Sequence, residues 1–143
     1  MIGDNKGQIS LEYLMIFAVS LILLIAFTLP LSEIAINDTF DVSNNLNAKS
    51  ELSKLSNAIT QVYSEGQGSK QTLYLDMDES LKVKIANSYL SAYIRLHDGT
   101  SKQLKIDYNS NLDSGSLFLD KGMNKIIVEW PINEGNMQLY KKY

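Results

Sequence analysis

The chain has 143 residues, 45% of them apolar, with 13 Lys and Arg against 16 Asp and Glu, giving a net charge of −3. That length suits one ordinary domain, or one long element joined to a smaller domain, and argues against two separate cores. The lack of cysteine excludes disulfides, thiolate metal sites, a lipoprotein-type lipid anchor and a cysteine nucleophile, and favours a prokaryotic surface protein over a disulfide-stapled secreted domain. With a net charge of −3 and no Lys or Arg cluster beyond Lys141-Lys142, the chain shows no electrostatic footprint for nucleic acid, and no nucleic-acid partner is expected.

The first element is announced by "KGQISLEYLMI", Lys6 to Ile16, and by the apolar run behind it, Leu14 to Leu31. The eighteen residues of that run carry no ionisable side chain. As a helix rising about 1.5 Å per residue they span roughly 27 Å, close to the hydrocarbon thickness of a bilayer. The run is longer than the roughly 7 to 15 residues of an ordinary secretory signal core. The nearest small-x-small site, ending at Ala35, has Glu33 two places earlier. Lys6 and the amino terminus precede the run, whereas Glu33, Asp38 and Asp41 follow it with no base until Lys49. That bias predicts the amino terminus inside and the rest of the chain outside. Tyr13 suits an aromatic anchor at the membrane interface.

Past Pro30, which is expected to kink or loosen the helix, apolar residues at Leu52, Leu55, Ile59 and Val62 recur at three-and-four spacing. That spacing predicts an amphipathic helix ending before "EGQGSK". One helix is therefore expected from Ile9 to Ser64, weakest across the Asn/Asp-rich stretch from Ile36 to Asn47, which is poor in helix formers. Asn37-Asp38-Thr39 is the chain's only N-glycosylation sequon, and Asn37 is the candidate acceptor.

From Gln71 the apolar period falls from 3.6 to 2. "QTLYLDM", "SLKVKIA", "YLSAYIRLH", "KQLKIDY" and "NKIIVEWP" alternate apolar with polar residues between turn signals such as Asp98-Gly99 and Lys121-Gly122. This pattern predicts an antiparallel sheet or small sandwich whose apolar face packs on the second half of the helix. The fold class is thus α+β: a leader at 1–7, a long helix at 8–64 and a β head at 65–143.

Constellations that carry catalysis are weak. His97, the only histidine, sits where a solvated turn is expected, and Asp76, Asp78 and Glu79 lack the glycine and distal glutamate of a calcium loop. No phosphate-binding glycine loop is present. Neither enzyme activity, a cofactor nor a metal site is expected.

The opening motif resembles the class III signal peptide of archaeal type IV pilins: a short polar leader ending in Gly, a mature chain starting at Gln, and a Glu four residues later. The resemblance covers residues 1–31 and implies cleavage between Gly7 and Gln8 by a prepilin peptidase. Because the cut precedes the apolar run, the anchor stays on the mature protein. The resemblance further implies a helical homopolymer built by an assembly ATPase and membrane platform, with membrane lipid around the subunit beforehand; an N-glycan on the exterior rests on the Asn37 sequon alone. The new ammonium at Gln8 lies one helical turn from Glu12, on the same face. Glu12 either caps the helix at headgroup level or forms an ion pair, within or between subunits, that sets register. The Gly-Ile-Gly signature of archaellins is missing, so a pilus subunit is expected rather than a swimming filament. The alternative is a single-pass, minor pilin-like or exterior binding protein that does not form the main filament.

Overall fold

The computed structural model describes the backbone of residues 5–142 and the side chains from Ser10 to Lys142. A helix, α1, runs Asn5–Glu65 and is followed by seven strands: β1 Lys70–Met77, β2 Leu81–Ile85, β3 Tyr89–Arg95, β4 Ser101–Asp107, β5 Gly115–Leu119, β6 Gly122–Glu129 and β7 Gln138–Lys142. Every pairing between these strands is antiparallel, and an isolated bridge between Leu112 and Met137 is parallel. The strands form a three-stranded sheet ordered β1-β6-β7 and a four-stranded sheet ordered β4-β3-β2-β5. The α+β class expected from periodicity is therefore the observed one. β5 and β7 are additions to the five strands expected: β5 opens on Gly115 and Ser116 and buries only Leu117 and Leu119, and β7 has no fully buried face.

By its contacts the chain divides into two compact units, residues 1–39 and residues 40–143. In the first, α1 remains helical through Pro30. Proline has no N–H to donate, and around it side-chain hydroxyls back-bond to the ladder, Thr28 Oγ1 to Leu24 O at 2.6 Å and Ser32 Oγ to Thr28 O at 2.9 Å. The apolar side chains of this unit, from Leu14 to Leu31, stand exposed on the single chain.

In the second unit the same helix becomes a core element. Leu52, Leu55, Ile59 and Val62 are fully buried in one cluster with Leu75, Val83, Leu90, Leu119, Ile126 and Val128 from both sheets. Their spacing puts them on one stripe of the helix, and the inward alternation of β1, β2 and β6 supplies the facing side chains. Gly66 ends α1: its φ of 86° is left-handed, and its N–H donates to Val62 O at 3.1 Å, the cap for which glycine is favoured. Tyr63 then stacks on Trp130 with ring centroids 5.6 Å apart.

Candidate functional site

Two parts of the chain are candidates for function: the apolar amino-terminal half of α1 and the polar stripe where α1 enters the head. In the first, Glu12 lies in the helix two residues before the apolar run and is exposed. Among the described residues it has no ion-pair partner within its own chain. Gly7 and Gln8 lie inside the helical run, but their side chains, and hence the expected contact between the Gln8 ammonium and Glu12, fall outside the described residues. α1 is long and apolar enough to cross a membrane, and none of its most apolar window is buried in the chain. Asn37 is half-buried within the helix, and the sequon hydroxyl, Thr39 Oγ1, donates to Ala35 O at 2.8 Å. That setting is helical, unlike the surface loop an acceptor asparagine usually occupies.

In the second part, α1 is helical through the Asn/Asp-rich stretch from Ile36 to Asn47, where propensity is poor, because the head uses those side chains. Asp41, Asn44, Asn47 and Glu51 recur at helical spacing on one face. Asn47 Nδ2 donates to Asp76 O at 3.2 Å, and Asp78 N–H donates to Asn47 Oδ1 at 3.4 Å. The buried carboxylate of Glu51 accepts the Asp76 N–H at 3.2 Å and pairs with Lys54. Asn44 Nδ2 reaches Glu79 Oε1 at 3.0 Å. The acidic residues Asp76, Asp78 and Glu79 thus form the end of β1 and the turn after it, clasped to α1 by backbone and side chain. Among the described residues no three His, Asp or Glu converge on a metal position.

His97 is more than a solvated turn residue. Its Nδ1 lies 2.6 Å from Asp41 Oδ1, and its backbone N–H is 3.1 and 3.2 Å from the two carboxylate oxygens. The hydrogen bond to Asp41, with the negative charges of Asp41 and Glu79, raises the imidazole pKa above its ordinary value, against some desolvation. Among the described residues no hydroxyl bonds to this ring, so the Asp-His pair is a tie between helix and turn and lacks a nucleophile. Sequence reading missed the stripe, although its signal was present: polar residues at positions 41, 44, 47 and 51 share a helical face that continues into the apolar stripe at Leu52 and Leu55.

An exposed apolar helix continuing into an antiparallel β head defines an α+β protein of the arrangement found in type IV pilins. Residues 5–31 match the family model of the class III signal peptide, the segment that the opening motif had singled out. Neither a search of curated proteins nor one of solved structures gave a match. The signal peptide and the hydrophobic helix together fit a pilin-like precursor, and they imply processing by a prepilin peptidase and handling by pilus assembly machinery.

Proposed function

We propose that this chain is the structural subunit of an archaeal type IV-like adhesion pilus. It is cut between Gly7 and Gln8, held in the cytoplasmic membrane with its amino terminus inside, and polymerised through the apolar half of α1. The observation that carries this reading is the contrast along one helix. From Leu52 to Val62 the apolar side chains are buried by the chain itself, whereas those from Leu14 to Leu31 find no partner in it. A bilayer satisfies that surface first, because the helix closes its own backbone hydrogen bonds. A bundle of copies satisfies it equally well. On this reading Glu12 pairs with the new Gln8 ammonium inside the bundle, where an unpaired charge is costly. The head then forms the filament surface and mediates attachment, with no enzymatic activity, and Asn37 carries an N-glycan.

The test is to purify surface filaments and sequence the amino terminus of their main subunit. Gln8 at the terminus is the expected result; a full-length, dispersed membrane protein overturns the reading. Glu12→Gln is expected to lower filament yield at least about tenfold while leaving membrane insertion intact, since removing one partner of a buried pair costs about 3–5 kcal/mol. Wild-type yield from this variant would remove the ion pair from the reading. An intact mass equal to that of the bare mature chain would remove the glycan.

A further inference from the structure

The outward face of the four-stranded sheet gathers residues that lie apart in the chain. Alternation in β2 turns Leu81, Val83 and Ile85 inward and Lys82 and Lys84 outward. Register sets Lys82 beside Phe118, and Lys84 between Ser116 of β5 and Ser91 of β3. Farther across, Ser91 faces Lys105 and Tyr93 faces Gln103. Arg95 follows Tyr93 by two residues on β3 and shares its face. Among the described residues Lys82, Lys84, Arg95 and Lys105 stand on one strand face that carries a single carboxylate, Asp107, taken by Lys105 at 3.2 Å, while Asp78 and Glu79 line a hollow with Tyr93 and Arg95 at its edge. Among the described residues Lys82, Lys84 and Arg95 have no acidic partner.

Between the cations stand unpacked aromatic rings. Tyr93 is 64% exposed and Phe118 56%. With Lys82 between them across the sheet, they lie two strand spacings apart, roughly 10 Å. Tyr89 supports the Lys105 ammonium, 4.6 Å from its ring centroid. Ser91, only 4% exposed, forms the floor of an open trough with the small residues Gly115 and Ser116 at one end.

We propose that this face binds single-stranded nucleic acid, its phosphates on Lys82, Lys84 and Arg95 and its bases stacked on Tyr93 and Phe118. Aromatic platforms interleaved with cations suit a strand whose bases are free, because every base offers a ring face and every nucleotide a charge. A duplex fits poorly, since its bases are already stacked and its major groove admits a helix or a two-stranded ribbon rather than a broad sheet. An acidic polysaccharide would need amides and carboxylates for its hydroxyls; among the described residues the trough along Lys82 and Lys84 offers Gln103 alone, and Asn44, Asn47 and Glu79 beside Tyr93 and Arg95 are engaged with one another or with the backbone at the end of β1. Local charge decides the matter here, so the chain's net charge of −3 does not oppose it. The surface lies in the 40–143 unit, and the proposal does not rest on polymerisation.

The test is fluorescence anisotropy of the full chain in non-ionic detergent micelles with a labelled oligothymidylate of about twenty nucleotides. Three phosphate contacts predict a roughly 20-fold loss of affinity between about 50 and 200 mM salt. The double variant Lys82→Glu, Lys84→Glu should bind at least about tenfold more weakly and flatten that salt dependence. Tyr93→Ala should weaken binding by about fivefold or more with the salt dependence unchanged. Lys142→Glu, on the other sheet, should bind as wild type, and all variants should keep the wild-type melting temperature because the altered side chains are exposed. No binding at the lower salt, equal affinity for a duplex, or an unaffected Tyr93→Ala variant overturns the proposal. So does displacement of the oligomer by a polyuronate at equal charge concentration, which would assign the face to a polysaccharide.

Discussion

Asn124 is the head's most exacting polar residue, and replacing it tests how the two sheets are joined. The β5–β6 turn hands the chain from the four-stranded sheet to the three-stranded one, and the Asn124 side chain, 1% exposed, ties that turn together. Asp120 N–H donates to Asn124 Oδ1 at 2.9 Å, and Nδ2 donates to Asp120 O at 2.7 Å and to Gly122 O at 2.9 Å. At about 1 kcal/mol net for each hydrogen bond, Asn124→Ala should cost about 3 kcal/mol. For a head of this size that lowers the melting temperature by about 10–20 °C. The fluorescence of Trp130, the only tryptophan, reports the melting, because its ring stacks on Tyr63 in the head. Asn124→Asp sharpens the test. It keeps the shape and the acceptor for Asp120 N–H but aims a second carboxylate oxygen at two carbonyl oxygens. Burial and that repulsion favour the protonated acid, so its folded pKa must lie above the roughly 3.9 of the unfolded chain. An acid raised in this way stabilises the fold below its unfolded pKa, and stability falls as pH climbs toward the folded pKa. The aspartate variant should therefore lose stability between about pH 4 and neutrality relative to wild type. An alanine variant melting within about 4 °C of wild type, or an aspartate variant with the wild-type pH profile, would refute the reasoning.

Other residues give independent checks. The His97 ring should titrate above its ordinary value of about 6.5 by NMR and move back toward it in Asp41→Asn. Because that folded pKa is raised, the pair's stabilisation is complete below the unfolded pKa and is lost as pH rises through the folded one. The melting difference between Asp41→Asn and wild type should accordingly be larger at about pH 5.5 than at pH 9. Leu55→Ala, at a fully buried position, should cost about 2–5 kcal/mol in urea unfolding, whereas Leu24→Ala, in the exposed apolar run, should leave head melting unchanged. Gly66→Ala meets no neighbouring atom and should cost only about 1 kcal/mol, from left-handed strain.

What was legible in the sequence was local. The run from Leu14 to Leu31 and the Lys-Gly-Gln opening are contiguous, and they mark the segment that the class III signal peptide model matches. The helical spacing of Leu52, Leu55, Ile59 and Val62 and the alternation of the long strands follow from the fixed geometry of helix and strand. The Asn-rich stretch before Ala48 was harder, because propensity counts each residue alone. Its helix is held by what Asp41, Asn44, Asn47 and Glu51 touch at positions 25 to 56 residues away. β7, with exposed and half-buried residues alternating, has no buried face of its own to announce it.

The amino-acid order by itself determined an apolar anchor, the signal segment at its start and a change of period from helix to strand, since each of these is set by neighbours a few residues apart. Tertiary structure alone decided that His97 meets Asp41, that the acidic stretch after Leu75 is clasped to the helix, and that Lys82, Lys84, Arg95 and Lys105 share one surface. Strand register relates residues far apart in the chain, and a shift of one position would send the same lysines to the opposite face. An even scatter of charge along the sequence therefore becomes a basic, aromatic surface only once the strands are paired.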